Sequence, residues 1–154
     1  MSLFPPEVIA AAQASQKKWG IPASVTLAQW ALESSFGSAM PAGSNDPFGI
    51  KAAGGQPYVM AWTHEDVGGR NVRVLAPFRK FSSINDAFDQ HGRLLATAPA
   101  YAKARKVENN PNAFADALTG VYATDRLYGT KLKEMMARYN LYQYDMRRAT
   151  NAGG

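Results

Sequence analysis

The sequence predicts a mainly helical α+β domain in which a helical lobe and one small β-hairpin lobe flank a cleft. Apolar residues recur at helical spacing before residue 37 and again after residue 83, and a β-branched and aromatic stretch lies between them. A length of 154 residues with 46% hydrophobic content suits a single core. No segment repeats. The reading places one domain at residues 1–146 and a flexible C-terminal tail at 147–154, which ends NAGG.

The first helix is expected from Pro5 to about Trp19, with proline at its start, Val8, Ile9, Ala12 and Gln16 on one stripe and Gly20 as its stop. A second begins at Pro22, or with Ser24 as its cap, and carries Glu33. On a wheel of about 100° per residue, Val25, Leu27, Ala28, Ala31 and Leu32 share one side. Glu33 falls on the other with Thr26, Gln29 and Trp30, a pattern that by itself describes a solvated glutamate. Its place along the helix argues otherwise. With Gly37 as the stop, Glu33 lies in the last turn, where the negative end of the macrodipole disfavours a carboxylate. That field, with partial burial beside Trp30 and Phe36, would raise its pKa and suit it to acid catalysis near neutral pH.

Residues 37–57 hold five glycines and three prolines, a loop long enough to build a site rather than merely connect. From Tyr58 to Phe78 the pattern becomes that of a hairpin turning at Gly68-Gly69. Glu65 then lies opposite Val72, on the face of Ala61, Thr63 and Val74. After Phe81 the helical period returns: Ser83 and Asp86 resemble a capping box, and Ile84, Ala87, Phe88, His91 and Leu95 form a stripe to about Ala96. His91 is therefore assigned first to the core. Further helices are expected over Pro111 to Val121 and Tyr128 to Tyr139.

Composition narrows the chemistry. Cysteine is absent, so no disulfide or thiolate site is available, and two histidines offer no metal cluster. No metal and no cofactor is expected. No apolar run approaches the roughly 20 residues of a membrane span, and the N-terminus lacks the pattern of a signal peptide. Synthesis in the cytoplasm without a signal peptide and no stable membrane insertion follow as expectations. The net charge of +5 is spread rather than clustered, which favours an acidic polymer surface over nucleic acid.

What remains is acidic: Glu33 after the second helix and Glu65 on the hairpin can face one another across the cleft. Two carboxylates, one protonated and one ionised, are the usual equipment for glycosidic cleavage. Aromatic rings around them, among them Trp30, Phe36, Phe48, Tyr58, Trp62, Tyr122 and Tyr128, could stack on sugars. About half of these rings are assigned to packing, with Trp62 and Tyr122 the better cleft candidates. Asn45, Asp46 or Thr124 could bind hydroxyls.

Four segments, LAQWALESSFG (27–37), DPFGIKA (46–52), APFRKFSSINDAFDQHGRLL (76–95) and YATDRLYGTKL (122–132), resemble the peptidoglycan-cleaving glucosaminidases of glycoside hydrolase family 73 in order and spacing. The resemblance implies a lysozyme-like fold with Glu33 as the general acid. It also implies Glu65 as the second carboxylate, to stabilise positive charge or activate water, with Tyr122 near the acid. Phe48 and Gly49 would shape the cleft floor, Lys51 would be structural, Asp125 would order its turn and Tyr128 would pack or line the groove. Ser35-Phe36 replaces the family's frequent glycine and tryptophan, and Asp46-Pro47 and Arg126 depart from NLFGIK and YATDP.

The substrate so implied is a β-1,4 bond of peptidoglycan glycan strands, cut on the reducing side of N-acetylglucosamine by a monomer. The target would be periplasmic or wall murein, reached after phage-type lysis or through a secretion apparatus. The alternatives are a muramidase or lytic transglycosylase on the same fold, and a noncatalytic glycan-binding or assembly module.

Overall fold

The computed structural model describes residues 3–146, so the expected tail at 147–154 lies outside the described residues. The elements are α1 (Pro6–Trp19), α2 (Ala23–Ser34), β1 (Tyr58–Val67), β2 (Arg70–Arg79), α3 (Ile84–Thr97), α4 (Ala102–Arg105), α5 (Pro111–Ala117) and α6 (Tyr128–Arg138), with short 3-10 turns at Pro99–Tyr101 and Leu141–Tyr144. Pro6 sits in the first turn of α1, where its missing N–H costs nothing, and Gly20 closes the helix in the left-handed region.

Helix α2 is the axis of the fold. It packs against α1, α5, α6 and the Leu141–Tyr144 turn, and every residue from Ala23 to Ala31 is buried. The wheel reading of a solvated side is therefore corrected: Thr26, Gln29 and Trp30 are enclosed because neighbouring elements cover that side too. Trp30 joins Phe4 (5.7 Å) and Phe36 (6.3 Å) in an aromatic cluster that Tyr139 completes. The helix also ends earlier than Gly37. Ser35 and Phe36 already have positive φ (49° and 60°), and the Ser34 hydroxyl accepts the Gly37 N–H at 2.8 Å. Ser24 is not a cap: its hydroxyl donates to Asp145 at 2.6 Å, while Pro22 occupies the cap position.

Strands β1 and β2 pair antiparallel around Gly68-Gly69, with Glu65 opposite Val72. Residues 50–52 lie along β2, through Arg79 N–H to Ile50 O (2.8 Å) and Ala52 N–H to Pro77 O (2.9 Å). The long loop is thereby stitched to the hairpin. Helix α3 starts as expected, Ser83 Oγ accepting the Asp86 N–H at 3.0 Å. Its Gly92 lets α1 approach closely, since a Cβ there would stand 2.2 Å from Ser15 Oγ. Helix α5 stops at Ala117, short of Val121, where the chain turns through Gly120 at φ 77°. Among the described residues, no helix is long and apolar enough to cross a membrane.

Candidate active site

A cleft of about 700 Å³ opens between the end of α2, the hairpin and the Gly120–Tyr128 segment. Glu33 reaches it from the last turn of α2 and Glu65 from β1; Gly49, Lys51, Tyr122, Thr124 and Tyr128 line it with them.

Glu33 is pushed up to about 7, chiefly because burial penalises its charge. The nearby Asp46 adds to the shift, while a hydrogen bond from Tyr128 and the charge of Lys51 oppose it. Its setting is Gly49 and Tyr128 rather than Trp30 and Phe36, whose rings pack into the cluster away from the cleft. Gly49 has φ +65°, and a Cβ on it would stand 3.1 Å from Glu33 Oε1. Glycine there admits the backbone directly beneath the carboxyl.

Glu65 is held the opposite way. Lys51 Nζ lies 2.6 Å from Oε1 and Thr124 Oγ1 donates to Oε2 at 3.1 Å, and these bonds hold its carboxyl below the usual range. Thr124 is itself fixed by the Asp66 N–H at 3.1 Å. Lys51, expected to be structural, thus acts on the second carboxylate.

Asp46 organises the floor. Buried beneath the turn, it accepts the N–H groups of Phe48 (3.1 Å) and Ile50 (3.2 Å) and shapes the chain around Gly49. Burial raises its carboxyl to about 6. Tyr122 donates to Phe48 O at 2.6 Å and stacks on Tyr128 at 5.8 Å. The hydroxyl that meets Glu33 belongs to Tyr128, with Tyr122 bracing the floor. Asp125 Oδ1 accepts the Leu127 N–H at 2.9 Å, ordering the turn that starts α6 at Tyr128.

Four residues expected to bind substrate stand outside the cleft. Trp30 is in the aromatic cluster. Phe48 is fully buried, stacked on His91 at 4.2 Å. Asn45 spends its amide on Phe81 O at 3.1 Å, pinning the loop to the start of α3. Trp62 points to the outer hairpin face, opposite Glu65 by strand alternation, with the Arg73 guanidinium 4.1 Å over its ring.

Sequence reasoning gave no site role to Gln29 or His91. His91 Nε2 lies 2.7 Å from Gln29 Oε1, and Gln29 Nε2 donates to Tyr128 Oη at 2.9 Å. The available signal was a glutamine four residues before Glu33, on the same side of α2. Among the described residues, no group of three or more His, Cys, Asp or Glu side chains is placed to hold a metal ion.

A helical lobe and a β-hairpin enclosing a cleft with two oppositely tuned carboxylates define a lysozyme-like glycosidase domain. The family model described as Glucosaminidase, Mannosyl-glycoprotein endo-beta-N-acetylglucosaminidase, matches residues 9–141, and the chain belongs to this family of glycoside hydrolases. An autolysin of Enterococcus faecalis is 36% identical over 132 residues, covering 80% of this chain and 18% of the relative. The exo-glucosaminidase LytG of Bacillus subtilis is 31% identical over 140 residues, covering 87% and 50%. The chain therefore spans half or less of the length of these curated relatives. The crystal structure of the catalytic domain of the Listeria monocytogenes autolysin Auto superimposes with a TM-score of 0.74 at 30% identity, covering 90% of this chain and 84% of that one.

Proposed function

We propose that this chain hydrolyses a β-1,4 glycosidic bond of peptidoglycan on the reducing side of N-acetylglucosamine, with Glu33 as general acid and Glu65 as the second carboxylate. The observation that carries the reading is the opposite tuning of the two groups across one cleft, Glu33 raised to about 7 and Glu65 lowered. A protonated carboxyl at neutral pH can deliver a proton to the leaving oxygen, and an ionised one opposite can stabilise positive charge or activate water.

Tyr128 orients the acid, and Lys51 and Thr124 keep Glu65 charged. Thr124, Tyr122 and the backbone at Gly49 offer the sugar its polar and ring contacts, in place of Trp30, Asn45, Phe48 and Trp62. The excess positive charge draws the chain to an anionic wall polymer outside the cytoplasm, where it acts as a monomer.

Digestion of purified sacculi followed by mass spectrometry of the soluble muropeptides tests this. Reducing N-acetylglucosamine ends are expected. Reducing muramic ends would assign a muramidase, anhydro-muramic ends a transglycosylase, and sacculus binding without soluble products a noncatalytic module.

A further inference from the structure

We infer that Gln29 and His91 are positioning residues of this site, a directed chain of hydrogen bonds from the His91 ring through the Gln29 amide fixing the Tyr128 hydroxyl as a donor to Glu33. The inference rests on the reading of Glu33 as the acid. The four members come from three helices: His91 from α3, Gln29 and Glu33 from α2, Tyr128 from α6.

The direction follows from proton counting. His91 and Gln29 are both fully buried. Burial pushes the His91 ring down to about 3, so it is neutral and carries one proton. With that proton on Nε2, it is donated to Gln29 Oε1 at 2.7 Å, which leaves the amide nitrogen to donate to Tyr128 Oη at 2.9 Å. The Tyr128 oxygen is then occupied as an acceptor, and its own proton goes to Glu33. The reverse direction would place the His91 proton on Nδ1, a buried atom with no hydrogen-bond partner. An orphaned buried N–H is rarer than an unfilled acceptor, so the forward direction is favoured. Phe48, stacked on the ring at 4.2 Å and 20°, holds its plane.

The same chain explains why a helix so apolar keeps a glutamine at its centre. Packing alone would be served by an aliphatic residue. Titratable groups that face Glu33 are Tyr128, Tyr122, Asp46, Lys51 and Glu65, and none of them changes in the variants below.

Gln29→Met keeps length and removes both bonds. Turnover on sacculi is expected to fall about tenfold with half-saturation nearly unchanged, since the acid is misplaced rather than substrate binding lost. The alkaline limb of activity should move up by about half a pH unit, because the Tyr128 hydroxyl, no longer held by Gln29, donates less well to the ionised Glu33. His91→Phe should act in the same direction, and His91→Gln, whose amide nitrogen takes the place of Nε2, should restore the limb. A double Gln29→Met/His91→Phe variant replaces both partners with apolar groups and should recover thermal stability relative to Gln29→Met, but not turnover.

A folded Gln29→Met protein with wild-type turnover and limb would overturn the inference. So would nitrogen NMR of the wild-type protein that finds the His91 proton on Nδ1, a measurement independent of whether any variant folds. An active Glu33→Gln protein would instead strike the acid assignment, whereas a wild-type-like Gln29→Met beside an inactive Glu33→Gln strikes the chain alone.

Discussion

Gly49 lies directly beneath Glu33, so close that a Cβ on it would stand 3.1 Å from the carboxyl oxygen, in a backbone conformation at φ +65°. Gly49→Ala is expected to cost about 1–2 kcal/mol from the left-handed backbone. It should also displace the acid and lower activity by more than its stability loss explains. Thermal unfolding and sacculus turnover measured on one preparation separate the two effects.

Asp46 tunes the acid from below. Its buried carboxylate raises Glu33, so neutralising it should lower the Glu33 pKa and move the alkaline limb of activity to lower pH. Asp46→Asn retains an acceptor for the Phe48 and Ile50 N–H groups and should stay folded. The pH profile of turnover reads the shift directly; a limb that moves upward contradicts it.

Lys51 governs the opposite limb. It holds Glu65 below the usual carboxylate range, so Lys51→Met should raise the Glu65 pKa and move the acidic limb to higher pH. The alkaline limb should also rise, because the same charge favours ionised Glu33. Both limbs moving up together distinguish loss of this charge from a general loss of activity.

Burying Glu33 has a stability signature. A carboxyl raised from 4.5 to about 7 on folding binds protons more tightly in the folded than in the unfolded chain. Stability from this group is therefore full below the unfolded value and is lost as pH rises toward the folded one. Glu33→Gln should unfold together with wild type near pH 4 and gain on the order of 3 kcal/mol over it at pH 8. Denaturant titrations at the two pH values check this.

Local rules carried much of the fold. The Gly68-Gly69 turn set the hairpin register, and the Ser83 and Asp86 pair marked the start of α3. Glu33 stood out through its place in the last turn of α2, and Glu65 through its strand face. The environment of α2 was hidden, because several of its polar residues are satisfied by partners distant in sequence: Gln29 by His91 and Tyr128, Glu33 by Tyr128, Ser24 by Asp145. A helical wheel has no means of telling such a side from a solvated one. The aromatic residues misled for the same reason, since composition says nothing about whether Trp30 and Phe48 face core or cleft. For Trp62 the information was present, as strand alternation already sets it opposite Glu65.

The central claim is that Glu33 donates the proton in glycosidic cleavage, and release of soluble muropeptides from purified sacculi by Glu33→Gln, at neutral pH and beside wild type, tests it most directly. A fall of at least about 100-fold in a protein that unfolds as cooperatively as wild type is the expected result. A folded Glu33→Gln protein that releases muropeptides at the wild-type rate would contradict it.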